Sequence, residues 1–178
     1  MGSIKSSSKT RAIPNGEGGS MDHKWKAYEL VVVRNWNDEV GPRIESPKQA
    51  HSYFIDTAKD NTQESLWVMS VDGRNNLIGI TEVFKGTATG TSVSIADLLR
   101  PAMLTGAVGL VMVHNHPSGD SQPSNEDIRL TEEVLRACGY HDLTLLDHMV
   151  ITPNDFTSIR SVEPGIWQAL AKEDARGL

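Results

Sequence analysis

The chain has 178 residues, 38% hydrophobic, 22% charged and 6% aromatic, the proportions of an ordinary folded domain rather than of a disordered or fibrous chain. Its longest apolar runs, such as Ala107–Val113, fall well short of the roughly 20 residues that cross a bilayer, and neither a membrane span nor a secretory leader is expected. Seventeen Lys plus Arg against 23 Asp plus Glu give a formal charge of −6, so the global electrostatics do not support a nucleic-acid partner, although a local basic patch stays open. The single cysteine, Cys138, excludes an internal disulfide and a multi-cysteine zinc knuckle, and fits a reducing compartment; a cytoplasmic location is expected.

Residues 1–21 are rich in Ser and Gly, lack regular apolar spacing, and read as a flexible tag or tail ahead of one domain over residues 22–178. Within that domain, Ala27–Val33 predicts a strand. Ser46-Pro47 supplies an N-cap and a proline at the first helical position, predicting a helix to about Ala58. Glu64–Val71 and Leu77–Phe84 flank Asp72-Gly73-Arg74-Asn75-Asn76, residues that tolerate positive φ, and predict a β-hairpin. Ile95–Leu104 predicts a helix that Pro101 is expected to shorten or bend, and Ala107–Val113 a buried strand that ends at a histidine. Ser124–Cys138 has two apolar stripes at helical spacing, with Gly139 placed for a left-handed C-terminal cap. Leu143–Ile151 predicts the next strand, Pro153-Asn154-Asp155 a turn, and Pro164 the start of a last helix carrying Ile166, Trp167 and Leu170. Strands alternate with helices while the hairpin excludes a purely parallel sheet, so the fold class is α/β with a mixed sheet flanked by helices.

The chemistry concentrates in His114-Asn115-His116-Pro117-Ser118-Gly119-Asp120-Ser121-Gln122-Pro123-Ser124-Asn125-Glu126-Asp127. Residues two apart in a strand project from one face, so His114 and His116 at a strand end can aim both imidazoles at one point. Pro117, Gly119 and Pro123 force a compact reversal, after which Ser124 begins a helix with Asp127 in its first turn. Two neutral imidazoles and a carboxylate form a three-ligand zinc site with one position left for water, the arrangement of catalytic rather than structural zinc. Each piece also has a plainer reading: the histidines as a hydrogen-bonded pair, and Ser124 with Asp127 as a capping box.

This string resembles the JAMM signature of the JAB/MPN metalloprotease superfamily, His-x-His-Pro, six residues, then Ser-x-x-Asp, with every position filled. HNHPSGDSQPSNED is similar in particular to the RadC-like branch. So are Gln63-Glu64 with the Val71-Asp72 hairpin, Phe84-Lys85-Gly86-Thr87, Leu146-Asp147-His148 and Phe156-Thr157-Ser158-Ile159-Arg160. The resemblance spans about Ser46–Arg160 and implies a JAB/MPN-like fold. Two departures stand out: Ile95-Ala96-Asp97 replaces a Pro-Arg-Glu-like segment of many relatives, and no helix-hairpin-helix module is expected before Asp22.

The resemblance also implies an upstream glutamate that activates the metal-bound water. Glu64 lies fifty positions before His114 and Glu82 thirty-two; Glu64, at the start of the first hairpin strand, is the expected base and Glu82 the alternative. The implied activity is zinc-dependent hydrolysis of a peptide or isopeptide bond, with His114, His116 and Asp127 as ligands and Ser124 as a donor to the oxyanion. Two alternatives remain: a metal-binding interaction module linked to DNA repair or mobile elements, and a metal-dependent phosphodiesterase. Asp147-His148 offers a ligand-orienting pair or ordinary core residues, and Cys138 reads as core packing.

Overall fold

The computed structural model describes residues 40–56, 62–86 and 93–174. The segment 1–21 and the strand expected at Ala27–Val33 lie outside the described residues. Helix α1, Pro47–Ser52, starts where expected, with the Ser46 hydroxyl accepting from Gln49 N–H, but its continuous run closes at Tyr53, whose N–H turns back to Ala50 O. The expected end near Ala58 falls at positions outside the described residues.

Strand β1, Ser65–Val71, is buried at every position, which is why it reads as a continuous apolar run rather than an alternation. It pairs antiparallel with β2, Leu77–Lys85, through a turn in which the Asp72 carboxylate accepts from Arg74 and Asn76 N–H while Asn75 takes φ +62°. Helix α2, Ile95–Thr105, runs through Pro101 without ending, its buried Leu98, Leu99 and Ala102 holding it on the sheet, and Gly106 closes it at φ +66°. Strand β3, Gly109–Asn115, pairs antiparallel with β1 and parallel with β4, Thr144–Ile151. The crossover between β3 and β4 is helix α3, Asn125–Tyr140.

Gly139 does not cap α3. It lies inside the helix, and the chain reverses at Asp142 (φ +54°), with Leu143 N–H and His141 N–H both reaching Cys138 O. A short β5, Phe156–Ser158, completes a five-stranded sheet of order β2-β1-β3-β4-β5. Helix α4, Ile159–Val162, and α5, Pro164–Asp174, follow; Trp167 Nε1–H donates to Leu145 O, tying α5 to β4. One sheet face packs on α1 through Trp67, Met69, Val111, Met149 and Phe54. The other packs on α2 and α3 through Val68, Leu98, Leu110, Met112 and Val134. The result is the expected mixed α/β sheet flanked by helices. Among the described residues no helix is long and apolar enough to cross a membrane.

Candidate metal centre

Strands β3 and β4 run parallel, so both end on the side where α3 begins, and the motif occupies that junction. His114 lies in β3 opposite Leu66 of β1 and Val150 of β4. His116, just past the strand, stays aligned because its N–H still bonds Ile151 O at 3.0 Å. The chain then reverses through Gly119 at φ +82°, whose N–H closes on His116 O. Ser124 caps α3 with a full capping box: its hydroxyl accepts from Asp127 N–H, and the Asp127 side chain accepts from Ser124 N–H at 2.7 Å.

These elements bring the side chains together. His114 Nε2 lies 2.9 Å from His116 Nε2 and 3.3 Å from Asp127 Oδ1, while His116 Nε2 is 3.6 Å from Asp127 Oδ2 and 4.0 Å from Glu64 Oε1. Glu64, His114 and His116 by themselves present ligand atoms all within 4.8 Å of one another, a group able to hold a metal ion. Zinc bonds of about 2.0–2.1 Å at tetrahedral angles set ligand atoms roughly 3.3 Å apart. The spacings among His114, His116 and Asp127 straddle that value, so this donor set fits the ion. Two carboxylates thus border the histidines, and burial separates them: the Asp127 side chain is 13% exposed and close, the Glu64 side chain 54% exposed and farther out. Glu82 is exposed on β2, opposite Trp67.

The far side of each ring is also occupied. His116 Nδ1 meets Asp120 O at 2.8 Å, and His114 Nδ1 meets His148 Nε2 at 3.0 Å. A hydrogen bond at Nδ1 orients an imidazole and directs Nε2 toward a metal. The electrostatics agree with this partition. Burial pushes His114 down to about 4 and also lowers His148, so both rings are neutral near pH 7. His116 is raised, chiefly by its hydrogen bond to Asp127, with burial opposing. Burial alone would raise Asp127, but His116 and Ser124 outweigh it and hold the carboxyl well below its usual range. Cys138 is pushed up to about 12 by burial, which removes it as a nucleophile.

Ser124 differs from the expectation in one respect. Its hydroxyl lies 2.7 Å from Asp127 Oδ2 and donates there, so the proton is committed to a carboxylate rather than directed outward. Asp147 and His148 also part company. His148 turns to His114, whereas Asp147 accepts from Arg160 N–H and borders a cavity beside Ile44, Ser46 and Ala50 on the other sheet face.

Two residues escaped the sequence reading. Asn115, 1% exposed, accepts from Ser65 N–H at 2.7 Å and donates to Gln63 O at 2.9 Å, clamping the backbone on both sides of Glu64. An amide between two histidines at a strand end was the available signal, since it must face away from them and find partners on the adjoining segment. Thr131, fully buried, lies one helical turn after Asp127 and touches His148. A polar residue on the apolar stripe of α3 was its only trace.

A mixed sheet whose parallel strand ends and following helix N-terminus gather two histidines and flanking carboxylates defines a JAB-type α/β domain with a metal-capable cluster. The chain belongs to the RadC-like JAB domain family, whose family model matches residues 44–164. It is similar to a UPF0758 protein of Halorhodospira halophila (strain DSM 244 / SL1), 31% identical over 160 residues, covering 89% of this chain and 71% of that protein. A UPF0758 protein of Staphylococcus aureus (strain NCTC 8325 / PS 47) is 40% identical over 148 residues, covering 79% of this chain and 66% of that one. One of Chromobacterium violaceum is 40% identical over 113 residues, covering 64% and 50% respectively. The chain therefore spans from about half to about seven-tenths of the length of these relatives.

Proposed function

We propose that the domain is a zinc-dependent hydrolase of the JAMM type that cuts a peptide or isopeptide bond with water. The observation that supports this reading is the convergence of two imidazole nitrogens and one shielded carboxylate at tetrahedral ligand spacing, with a second, exposed carboxylate at the rim. His114 Nε2, His116 Nε2 and an Asp127 oxygen would hold the ion. When bound, zinc supplies Lewis acidity toward a carbonyl oxygen and lowers the pKa of its water to about 7.

Glu64 stands at the rim where a base belongs: farther from His116 and more exposed than Asp127, and near enough to accept a proton from water attacking the amide carbonyl. Its carboxyl then delivers that proton to the departing amine nitrogen as the C–N bond breaks. Asn115 holds the Glu64 backbone in place on both flanks. Ser124 contributes an oxyanion donor if its hydroxyl turns from Asp127 Oδ2 to the substrate, a gain on the order of 3 kcal/mol for a well-aimed donor.

The test gives purified protein linear peptides, ubiquitin-like amide fusions, and single- and double-stranded DNA, each with and without chelator. Amide cleavage that disappears in Glu64→Gln while zinc remains bound is the expected result, and His116→Ala should lose stoichiometric zinc. Zinc retained with no turnover on any substrate would replace the reading by a metal-binding interaction module. Chelator-sensitive DNA cleavage would replace it by a phosphodiesterase.

A further inference from the structure

Behind His114 runs a buried chain of hydrogen bonds. Thr131 and His148 are fully buried and His114 is 4% exposed. Thr131 Oγ1 lies 2.6 Å from Asp127 O and 2.7 Å from His148 Nδ1, and His148 Nε2 lies 3.0 Å from His114 Nδ1. The directions of these bonds follow from counting hydrogens. A main-chain carbonyl only accepts, so two oxygens 2.6 Å apart require the single Thr131 hydroxyl hydrogen between them. Thr131 therefore has only a lone pair left for His148, and His148 must donate from Nδ1. An uncharged imidazole, the form that burial favours, carries one N–H, which leaves His148 Nε2 bare to accept from His114 Nδ1–H. His114 then has its one hydrogen at Nδ1 and a lone pair at Nε2, the atom that faces His116 and Asp127.

We propose that Thr131 and His148 are positioning residues that lock His114 in its Nδ1–H tautomer, so that Nε2 presents a lone pair to the metal. The reverse wiring fails at its first step, because it takes the hydrogen away from the 2.6 Å contact between Thr131 and Asp127 O and leaves two oxygens in repulsion. The wiring closes a ring. Asp127 begins it through its carbonyl and completes it through its carboxylate, which borders the same point as His114 Nε2. One helical turn of α3 thereby sets both a ligand and the tautomer of its partner. The consequence for metal affinity rests on the proposed zinc site; the tautomer itself is a property of the metal-free protein.

The test labels histidine with ¹⁵N and reads the tautomers of metal-free protein from long-range ¹H–¹⁵N correlations. His114 and His148 are both expected as Nδ1–H in the wild type and in Thr131→Ser, which keeps the hydroxyl. Thr131→Val keeps the shape without the hydroxyl; His148 should then lose its fixed tautomer, and zinc affinity measured by indicator competition should fall about 10- to 100-fold. Wild-type His114 in the Nε2–H form overturns the proposal even if the valine variant does not fold. So does a folded Thr131→Val protein that binds zinc as tightly as Thr131→Ser. Wild-type protein that takes up no zinc removes the reading of the site, while the tautomer pattern still decides the wiring.

Discussion

Replacing Asn115 with Ala is expected to loosen the Glu64 segment while leaving the proposed metal ligands in place. The amide makes two hydrogen bonds, from Ser65 N–H and to Gln63 O, in a position 1% exposed. The two ends of that clamp are unequal. Gln63 is exposed, so its carbonyl recovers a partner from water; Ser65 is fully buried, and its N–H gives up an acceptor that water cannot replace. Losing such a partner costs about 1–3 kcal/mol, and the space left by the amide adds to it, for about 2–3 kcal/mol in all. In a urea titration of metal-free protein, an m-value of about 1.5–2 kcal/mol/M for a domain of this size turns that loss into a midpoint lower by about 1–2 M at unchanged slope. Zinc should still bind at one per chain, because His114, His116 and Asp127 are positioned by other contacts. Under the proposed function, amide hydrolysis should fall in kcat with little change in KM, since Glu64, the proposed base, is misplaced rather than the substrate site. A midpoint within about 0.3 M of wild type would refute the clamp, and loss of zinc would show that Asn115 serves the histidines instead.

The metal-free protein should lose stability on acidification. His114 sits at about 4 when folded against an ordinary 6.5, so between these limits the unfolded chain takes up a proton that the native one refuses. Stability is then full above about pH 6.5 and falls as the pH drops toward 4, by about 3 kcal/mol from this residue, with His148 acting in the same sense. His116 acts oppositely, because its raised pKa adds stability below 6.5 that is lost as the pH rises through its folded value; being partly exposed, it offsets only part of the loss. Urea midpoints rising between pH 4 and 6.5 are expected, and a flat profile would contradict the burial argument. Zinc binding should displace the His116 proton: calorimetry in buffers of different ionisation enthalpy should register more than about half a proton released near pH 6.5, declining at higher pH. Ser124→Ala removes the α3 cap, and a loss of about 1 kcal/mol in urea is expected. If the hydroxyl also serves the oxyanion, turnover should drop about 100-fold, and a drop no larger than the change in zinc occupancy would leave Ser124 a cap alone.

Much of this architecture is local chemistry and so was legible in the sequence. The Asp72–Asn76 turn, the Ser46 and Ser124 caps and the continuous apolar strands announce themselves because the residues that determine them are neighbours. The errors lie where tertiary contact overrides local preference. Pro101 suggests a shortened or bent α2, but the helix runs on to Thr105 with Leu98, Leu99 and Ala102 buried against the sheet. Gly139 had the residue type for a left-handed cap, yet Leu143 must reach the apolar layer of α3, and Asp142 takes the strained conformation two residues after the helix ends. Asn115 and Thr131 were illegible for a related reason: their partners, Gln63 with Ser65 and His148, are distant in sequence, and nothing in a one-dimensional pattern names them.

The placement of Asp127 explains why the motif takes the form of a strand followed by a capped helix. As the third residue of α3 it receives Ser124 N–H and Ser124 Oγ–H, and it lies at the helix end whose partial positive charge favours an anion. Its hydrogen bond to His116, together with these capping contacts, outweighs burial and keeps the carboxyl ionised far below neutral pH, whereas His116 titrates above its usual value, so protons compete with any metal for its ring. Acid should strip an ion from such a site through the histidines first, with the carboxylate the last ligand to let go. The same capping contacts that begin the helix thus hold a negative charge at the cluster in the absence of metal. In the metal-free protein the His116 proton satisfies that charge, and in the proposed holoprotein the cation takes its place.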